Sequence, residues 1–121
     1  MTTIVNKRKV RVSGLIVVSD VSMLDRRAKI AALAAHYAVP TIYPLREFAT
    51  AGGLISDGSD ITEGYRQQGI FAVQLLRGVK PADLPVQQST NVELIVNLQA
   101  AKMLGLEVPM SILMRVNDVI E

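Results

Sequence analysis

The sequence contains no cysteine, no tryptophan and a single histidine. The absence of cysteine excludes disulfide scaffolds, thiolate nucleophiles, iron–sulfur clusters and zinc sites built on thiolates. Every uncharged apolar stretch is much shorter than the roughly 20 residues that a helix needs to cross a bilayer, so no membrane span is predicted. Half of the residues are apolar and a fifth are charged. This composition excludes intrinsic disorder and predicts one globular domain.

The formal net charge of +2 is small, and much of the positive excess lies near the N-terminus, in Lys7, Arg8, Lys9 and Arg11. Few aromatic side chains are present on which the bases of a single strand would stack. The basic run therefore predicts a solvated end, and no nucleic-acid partner is expected. The apolar segment that follows stops at Asp20 without a small-residue cleavage pattern, so no export signal is predicted and the chain as written is expected in the cytoplasm.

Strand-like and helix-like segments alternate along the chain. Ser22 and Asp25 form one capping-box pattern and Asp60 and Glu63 another, while Asp57-Gly58 is typical of a turn. The predicted order is strand 10–19, helix 22–37, strand 41–43, helical turns 46–51, strand 54–56, helix 60–77, strand 91–96, helix 98–104 and a final helix to about 119. This order predicts an α/β, layered, Rossmann-like single lobe with a mostly parallel sheet.

Ligands of such folds bind at the carboxyl ends of the strands, which here are followed by the carboxylates Asp20, Asp57, Asp60 and Glu63. Oxygen ligands of this kind suit a divalent metal, and one alternative is a small metal-dependent enzyme that uses Asp20, Asp57 and Asp60. Each carboxylate also fits a turn or a helix start. Because the chain has no phosphate-binding glycine loop and His36 has no recognisable triad partners, no cofactor, metal ligand or catalytic residue is predicted.

Three longer segments form a specific combination: YPLREFATAGGLISDG, GYRQQGIFAVQLLRGVKPADLPVQ and NVELIVNLQAAKMLGLEVPMSILMRVNDVIE. Together they resemble the carboxyl-terminal half of ABC transporter substrate-binding proteins, in the type I, periplasmic binding protein-like branch of tryptophan-type and uncharacterised transport components. The likeness covers residues 14–121, and residues 1–13 stand apart as a basic N-terminal extension. Members of this family commonly carry an aromatic or a small residue directly before the glycine that matches Gly58. This sequence has Asp57 at that position.

The resemblance implies the second of two α/β lobes that are joined by crossing segments and close on a ligand by a hinge motion. It also implies non-enzymatic binding of a small molecule such as an amino acid, which an ABC permease then receives outside the cytoplasmic membrane. Because members of the family are much longer, the chain is expected to be a truncated or remnant form. The ligand-binding residues implied by position are Ser19, Asp20, Glu47, Ser56, Asp57 and Gly58.

In the family, the helix that matches residues 60–77 packs on the first lobe. Without that lobe, the apolar face formed by Ile61, Tyr65, Ala72 and Leu76 would be exposed, which a monomer seldom tolerates. The sequence therefore predicts a homodimer through this helix. A homodimeric interaction domain without a small-molecule ligand is the other alternative function.

Overall fold

The computed structural model describes residues 12–88 and 91–121. Within these residues, five strands form one sheet in the order β1-β2-β3-β4-β5, and every neighbouring pair is parallel except β3 and β4. The prediction of an α/β lobe with a mostly parallel sheet is confirmed. The elements are β1 (Leu15–Ile16), α1 (Val21–Asp25), α2 (Arg27–His36), β2 (Thr41–Tyr43), α3 (Arg46–Thr50), β3 (Ile55–Ser59), α4 (Ile61–Leu76), a 3-10 turn (Pro81–Asp83), β4 (Val92–Asn97), α5 (Leu98–Met103), α6 (Met110–Leu113) and β5 (Asp118–Ile120).

Of the two long predicted helices, the first is divided in the structure and the second is continuous. The first is divided at Arg26 into α1 and α2, and its N-cap is Asp20, whose Oδ1 accepts a hydrogen bond from the Ser22 amide at 2.8 Å. Asp60 caps α4 as predicted, by accepting a hydrogen bond from the Thr62 amide at 2.8 Å. The side-chain acceptors replace the intrahelical partners that amides in the first turn lack.

One face of the sheet packs against helices. Val17, Tyr43 and Phe48 form its buried core, with Leu24 and Ile30 packed against them. The rings of Tyr43 and Phe48 stack with a centroid separation of 5.0 Å, which joins β2 to α3. Burial raises the pKa of the Tyr43 hydroxyl, because a phenolate is poorly solvated there. This packing fixes the carboxyl end of β2.

The opposite face of the sheet is covered unevenly. A row of aliphatic side chains crosses all five strands in register: Ile16, Ile42, Ile55, Val96 and Val119. The exposed fraction rises from 0% at Val96 to 42% at Ile42 and 72% at Ile16. Sheets of mostly parallel strands are normally covered on both faces. The face near β1 therefore presents apolar surface to solvent.

Two sequence predictions were wrong. Asp57 and Gly58 do not form a turn but lie within β3, opposite Leu94 and Glu93 of β4. The main-chain hydrogen bonds of this long-range pairing outweigh the local turn preference. The final helix ends at Leu113, and residues 118–120 form β5 beside β4. The predicted basic run lies outside the described residues.

The segment that contains α4 leaves the sheet and rejoins it at one point, because Ser59 at the end of β3 lies opposite Val92 at the start of β4. No residue of α4 is buried, and α4 packs extensively against no other helix or strand of the described chain. Among the described helices, none is long and apolar enough to span a membrane.

Candidate functional site

The predicted site lies at the edge of the sheet where β1, β2 and β3 end. Ser19 follows β1, Glu47 follows β2 in α3, and residues 56–58 belong to β3. Because β4 and β5 run opposite to β3, their first residues lie at the same edge. The carboxylates of Glu93 and Asp118 therefore join the site region, although nothing in the sequence linked them to it.

The first strand end contributes Ser19 and Asp20. Both are exposed. Asp20 accepts hydrogen bonds from the Ser22 hydroxyl and amide, and these hold the pKa of its carboxyl below the usual value. The Asp20 carboxylate is therefore engaged in starting α1, whereas the Ser19 side chain faces solvent.

The three β3 positions differ in what they can contact. Ser56 is only 1% exposed and lies in register with buried Tyr43 and Ile95. Its hydroxyl has no hydrogen-bond partner in the described structure. Successive strand residues point to opposite faces, so exposed Asp57 lies on the other face of the sheet. In this conformation Ser56 belongs to the core and presents no surface to a ligand.

Gly58 has a steric requirement of its own. A Cβ atom at this position would lie 1.8 Å from the carbonyl oxygen of Pro44. Only glycine permits β3 to pass this close to the backbone that follows β2. Gly58 therefore positions the two strand ends relative to each other.

Glu47 lies apart from Asp57. It is half-buried in the first turn of α3 and lines a shallow groove with Asp25, Arg27 and Thr50. This groove lies among the helices that cover the Tyr43 face, whereas Asp57 lies on the opposite face. The structure thus brings Asp57 and Gly58 together and does not bring Glu47 to them.

A cluster of charged side chains that the sequence did not reveal connects α3 to β4 and β5. One guanidinium nitrogen of Arg46 lies 2.5 Å from Asp118 Oδ2 and another lies 3.5 Å from Glu93 Oε2. The hydrogen bond to Asp118, together with the nearby negative charges, raises the pKa of Arg46. Since 72 positions separate Arg46 from Asp118, no local sequence signal indicated the pair.

The carboxylates that a metal-dependent enzyme would use do not form a cluster in the described structure. Among the described residues there is no group of three or more histidine, cysteine or acidic side chains that could hold a metal ion. Asp60 is engaged as the α4 cap, and Glu63 binds Arg66 through both carboxylate oxygens at 2.6 and 2.7 Å. The grouping of Asp20, Asp57 and Asp60 around a metal, which the alternative function would require, is therefore not found among the described residues.

Two further grooves lie away from these strand ends. A groove of about 180 Å³ at the opposite edge of the sheet is lined mainly by small apolar residues, including Ala31, Ala35, Gly53 and Leu54. A groove of about 330 Å³ lies between α4 and the returning chain. Its lining residues are mostly amides, together with a carboxylate and an aromatic ring: Glu63, Gly64, Gln67, Gln68, Phe71, Gln87, Gln88 and Asn91.

Three solved structures resemble this lobe. A conserved domain protein from Vibrio cholerae O1 biovar El Tor is 21% identical, with a TM-score of 0.82 over 88% of this chain and 36% of its own. An ABC domain from Streptococcus pneumoniae in complex with L-Trp is 26% identical, with a TM-score of 0.82 over 91% of this chain and 37% of its own. A ligand-free, open substrate-binding protein with adhesive properties from Clostridium difficile is 24% identical, with a TM-score of 0.57 over 88% of this chain and 36% of its own.

The chain spans about a third of the length of each of these structures. No curated protein matches it. The family described as ABC transporter substrate binding protein matches residues 1–120, a range that includes the segment 1–13 set apart in the sequence. With nearly the whole chain matched, and with the lobe architecture of solved relatives, the chain belongs to the ABC transporter substrate-binding protein family.

Proposed function

We propose that this chain is the second lobe of a type I solute-binding protein and captures a small molecule, such as an amino acid, without catalysing a reaction. The observation that carries this proposal is the likeness to the Streptococcus pneumoniae ABC domain, which covers 91% of the chain at a TM-score of 0.82 and was solved in complex with L-Trp. At 26% identity, this likeness supports a solute-binding role. It does not identify the solute, which depends on this chain's own side chains.

The ligand surface we propose is the exposed part of the strand-end region. Asp57 supplies a carboxylate with no side-chain partner among the described residues, and Ser19 supplies a hydroxyl. The carboxylate suits the ammonium group of an amino acid, because a charge-assisted hydrogen bond is stronger than a neutral one. Gly58 holds this part of β3 against Pro44. The family resemblance also implies Asp20, Glu47 and Ser56 as ligand contacts. We leave them out of the proposed surface because Asp20 caps α1, Glu47 lies among the helices and Ser56 is buried.

The path of the chain at β3 and β4 fits a two-lobed binding protein. These adjacent strands are the two connections between the sheet and the α4 segment, and they meet at Ser59 and Val92. Two neighbouring crossing strands are a suitable hinge, because rotation about one point moves everything beyond it as a unit. We therefore assign α4 to the side of the hinge that faces a first lobe.

Ligand binding is best tested with the isotope-labelled chain by nuclear magnetic resonance, titrated with L-Trp and with a panel of other amino acids. A single lobe buries only part of a ligand, so a dissociation constant of about 1 mM is expected. We expect the chemical shift changes to cluster at Ser19, Asp57 and Gly58. The Asp57→Asn variant should lose most of the response, and the matched Asp83→Asn variant on the exposed connector should retain it. Absence of any response, or a response that is equal in the two variants, would contradict the proposal.

We further propose that the solute is passed to an ABC permease outside the cytoplasmic membrane, where this family typically works. Family membership supports both the partner and the compartment. Fractionation of cells that express the gene from its own chromosomal locus tests the compartment. Crosslinking from Ser19 or Asp57 variants that carry a photoreactive side chain tests the permease contact, and recovery of the protein from the cytosol alone would contradict this assignment.

A homodimeric interaction domain without a small-molecule ligand is a second candidate function. The observation that favours it is the exposure of α4, none of whose residues is buried. This candidate predicts self-association together with no response to any solute in the titration.

A further inference from the structure

The proposed ligand surface lies where β1, β2 and β3 end, and the side chains around these strand ends carry charge of one sign. The residues that end or follow the three strands are 17–20, 44–45 and 57–60. They include the carboxylates of Asp20, Asp57 and Asp60 and no lysine, arginine or histidine. A solute that binds at this edge therefore meets negative side chains and no cationic side chain from these segments.

Backbone amides at helix starts bind anions in many α/β folds, but at this edge they meet the protein's own carboxylates. The Ser22 amide of α1 donates to Asp20 at 2.8 Å, and the Thr62 amide of α4 donates to Asp60 at 2.8 Å. The helix that follows β2, α3, carries Glu47 in its first turn, where a negative charge already interacts with the positive end of the helix dipole. A carboxylate on the solute would have to compete with these three side chains.

Arg46, the cation closest in sequence to these strand ends, is engaged by two carboxylates. Its guanidinium nitrogens lie 2.5 Å from Asp118 Oδ2 and 3.5 Å from Glu93 Oε2. Glu93 lies opposite Gly58 in the pairing of β3 with β4, so this cluster borders the proposed surface and carries a net negative charge. Arg27 lines the groove among the helices together with two further carboxylates. Both arginines therefore already lie beside acidic side chains, which disfavours an additional carboxylate there.

Asp57 differs from the other carboxylates of this edge because its side chain is not engaged within the lobe. It is exposed and makes no hydrogen bond or ion pair with another side chain of the described residues. An ionised carboxylate only accepts hydrogen bonds and an ammonium group only donates them, so the two groups are complementary. The Ser19 hydroxyl, the other polar group of the proposed surface, can accept as well as donate. Both side chains thus suit an ammonium group, whereas only Ser19 could donate to a carboxylate.

We propose that Asp57 selects solutes by their ammonium group, so that aliphatic amines without a carboxylate bind this surface more tightly than zwitterionic amino acids do. This inference rests on the proposed function and narrows its solute class. Asp57 contacts the ammonium group directly. Asp20 and Asp60 add attraction from the neighbouring strand ends, because β1 and β3 are only two strand spacings apart, about 10 Å, which is close to the Debye length at about 0.1 M salt.

The test is a nuclear magnetic resonance titration of the isotope-labelled chain, at low ionic strength, with a set of solutes that differ by one charged group at each step. The diamine 1,5-diaminopentane is lysine without its carboxylate, norleucine is lysine without its side-chain ammonium group, and hexanoate is norleucine without its ammonium group. We expect the dissociation constant to rise about threefold or more at each step from the diamine to lysine, norleucine and hexanoate. These differences should shrink when sodium chloride is raised from about 20 mM to about 200 mM, because salt screens the charges.

Three variants assign the preference to this edge. Asp57→Asn should raise the dissociation constant of the diamine about tenfold. Asp60→Asn keeps a side-chain oxygen for the α4 cap but removes a charge, and it should raise that constant about twofold. Asp83→Asn removes the same charge from the exposed connector and should leave the order of the four solutes unchanged.

The outcomes separate this inference from the proposed function. If norleucine or hexanoate binds at Asp57 as tightly as the diamine does, the inference is overturned and the proposed function stands. Diamine binding that Asp57→Asn does not weaken, or that Asp83→Asn weakens equally, also overturns the inference. A response to no solute, L-Trp included, contradicts the proposed function itself, and this inference falls with it.

Discussion

Gly58 of β3 and Pro44 after β2 lie in direct backbone contact: a Cβ atom added to Gly58 would lie 1.8 Å from the Pro44 carbonyl oxygen. That distance is far inside van der Waals contact, so neither backbone can keep its place if a side chain is introduced. The contact fixes where β3 leaves the sheet. It therefore links a glycine near the proposed ligand surface to the position of the hinge.

Gly58→Ala should destabilise the fold. Relief of the clash requires β3 or the Pro44 backbone to move, and overpacking of this kind costs about 1–3 kcal/mol. Urea unfolding followed by tyrosine fluorescence measures the free energy of unfolding. The matched control is Gly64→Ala, because a Cβ atom there meets nothing within 4 Å. Since Gly64 lies inside α4, that change should stabilise the helix by about 0.5–1 kcal/mol. Equal effects of the two substitutions would show that the Pro44 contact is not restrictive.

Asn97 links three parts of the structure, and its replacement should be costly. Asn97 is buried, with only 5% of the residue exposed to solvent. Its Nδ2 donates to the Ala49 carbonyl at 3.1 Å, and its Oδ1 accepts from the Ala100 amide at 3.0 Å, which caps α5. Asn97→Ala removes both bonds and should lower the free energy of unfolding by about 2–3 kcal/mol. Asn97→Ser keeps a capping oxygen and should cost less. A smaller loss for alanine than for serine would argue against the capping role.

The sequence predicted elements well where the determining residues are close together in the chain. Asp60 as a helix cap and the strand over residues 41–43 both follow from local chemistry. Asp57-Gly58 and residues 118–120 were misread because their strand conformation depends on β4, which lies distant in sequence. Local patterns do not reveal such pairing.

The site shows the same limit. The sequence placed Ser56 at the end of the third strand and Asp57-Gly58 in a turn after it, and it did not reveal that Ser56 points into the core or that Glu47 lies among the helices. Within β3, alternation sets the faces of Ser56 and Asp57 only relative to each other. Packing of Tyr43 on Phe48 decides which of these faces is buried. Arg46, Glu93 and Asp118 were missed altogether because their cluster forms only when α3, β4 and β5 come together.

The helical content of α4 should depend on pH through Glu63. Hydrogen bonds from Arg66, and then from Gln67, lower the pKa of Glu63 from 4.5 to about 2. Because the folded pKa lies below the unfolded one, this contribution is complete above about pH 4.5 and is lost as the pH falls towards 2. Far-ultraviolet circular dichroism should show helix loss in this window. Glu63→Gln should reduce the change, whereas Glu107→Gln, an exposed carboxyl outside α4, should not. Identical acid titrations of the two variants would contradict the assignment.

Ser56 offers a way to separate a core role from a ligand-binding role. Its buried hydroxyl lacks a hydrogen-bond partner in the described structure, and an unpaired buried polar group costs about 1–3 kcal/mol. Ser56→Ala removes the group with little change in volume, so the free energy of unfolding should stay the same or rise by up to about 1 kcal/mol. The solute response measured by nuclear magnetic resonance should be retained, in contrast to Asp57→Asn. If Ser56→Ala instead abolishes that response without loss of stability, the hydroxyl must reach the ligand in another conformation. Rotation about the hinge at Ser59 and Val92 would then have to extend into β3 itself.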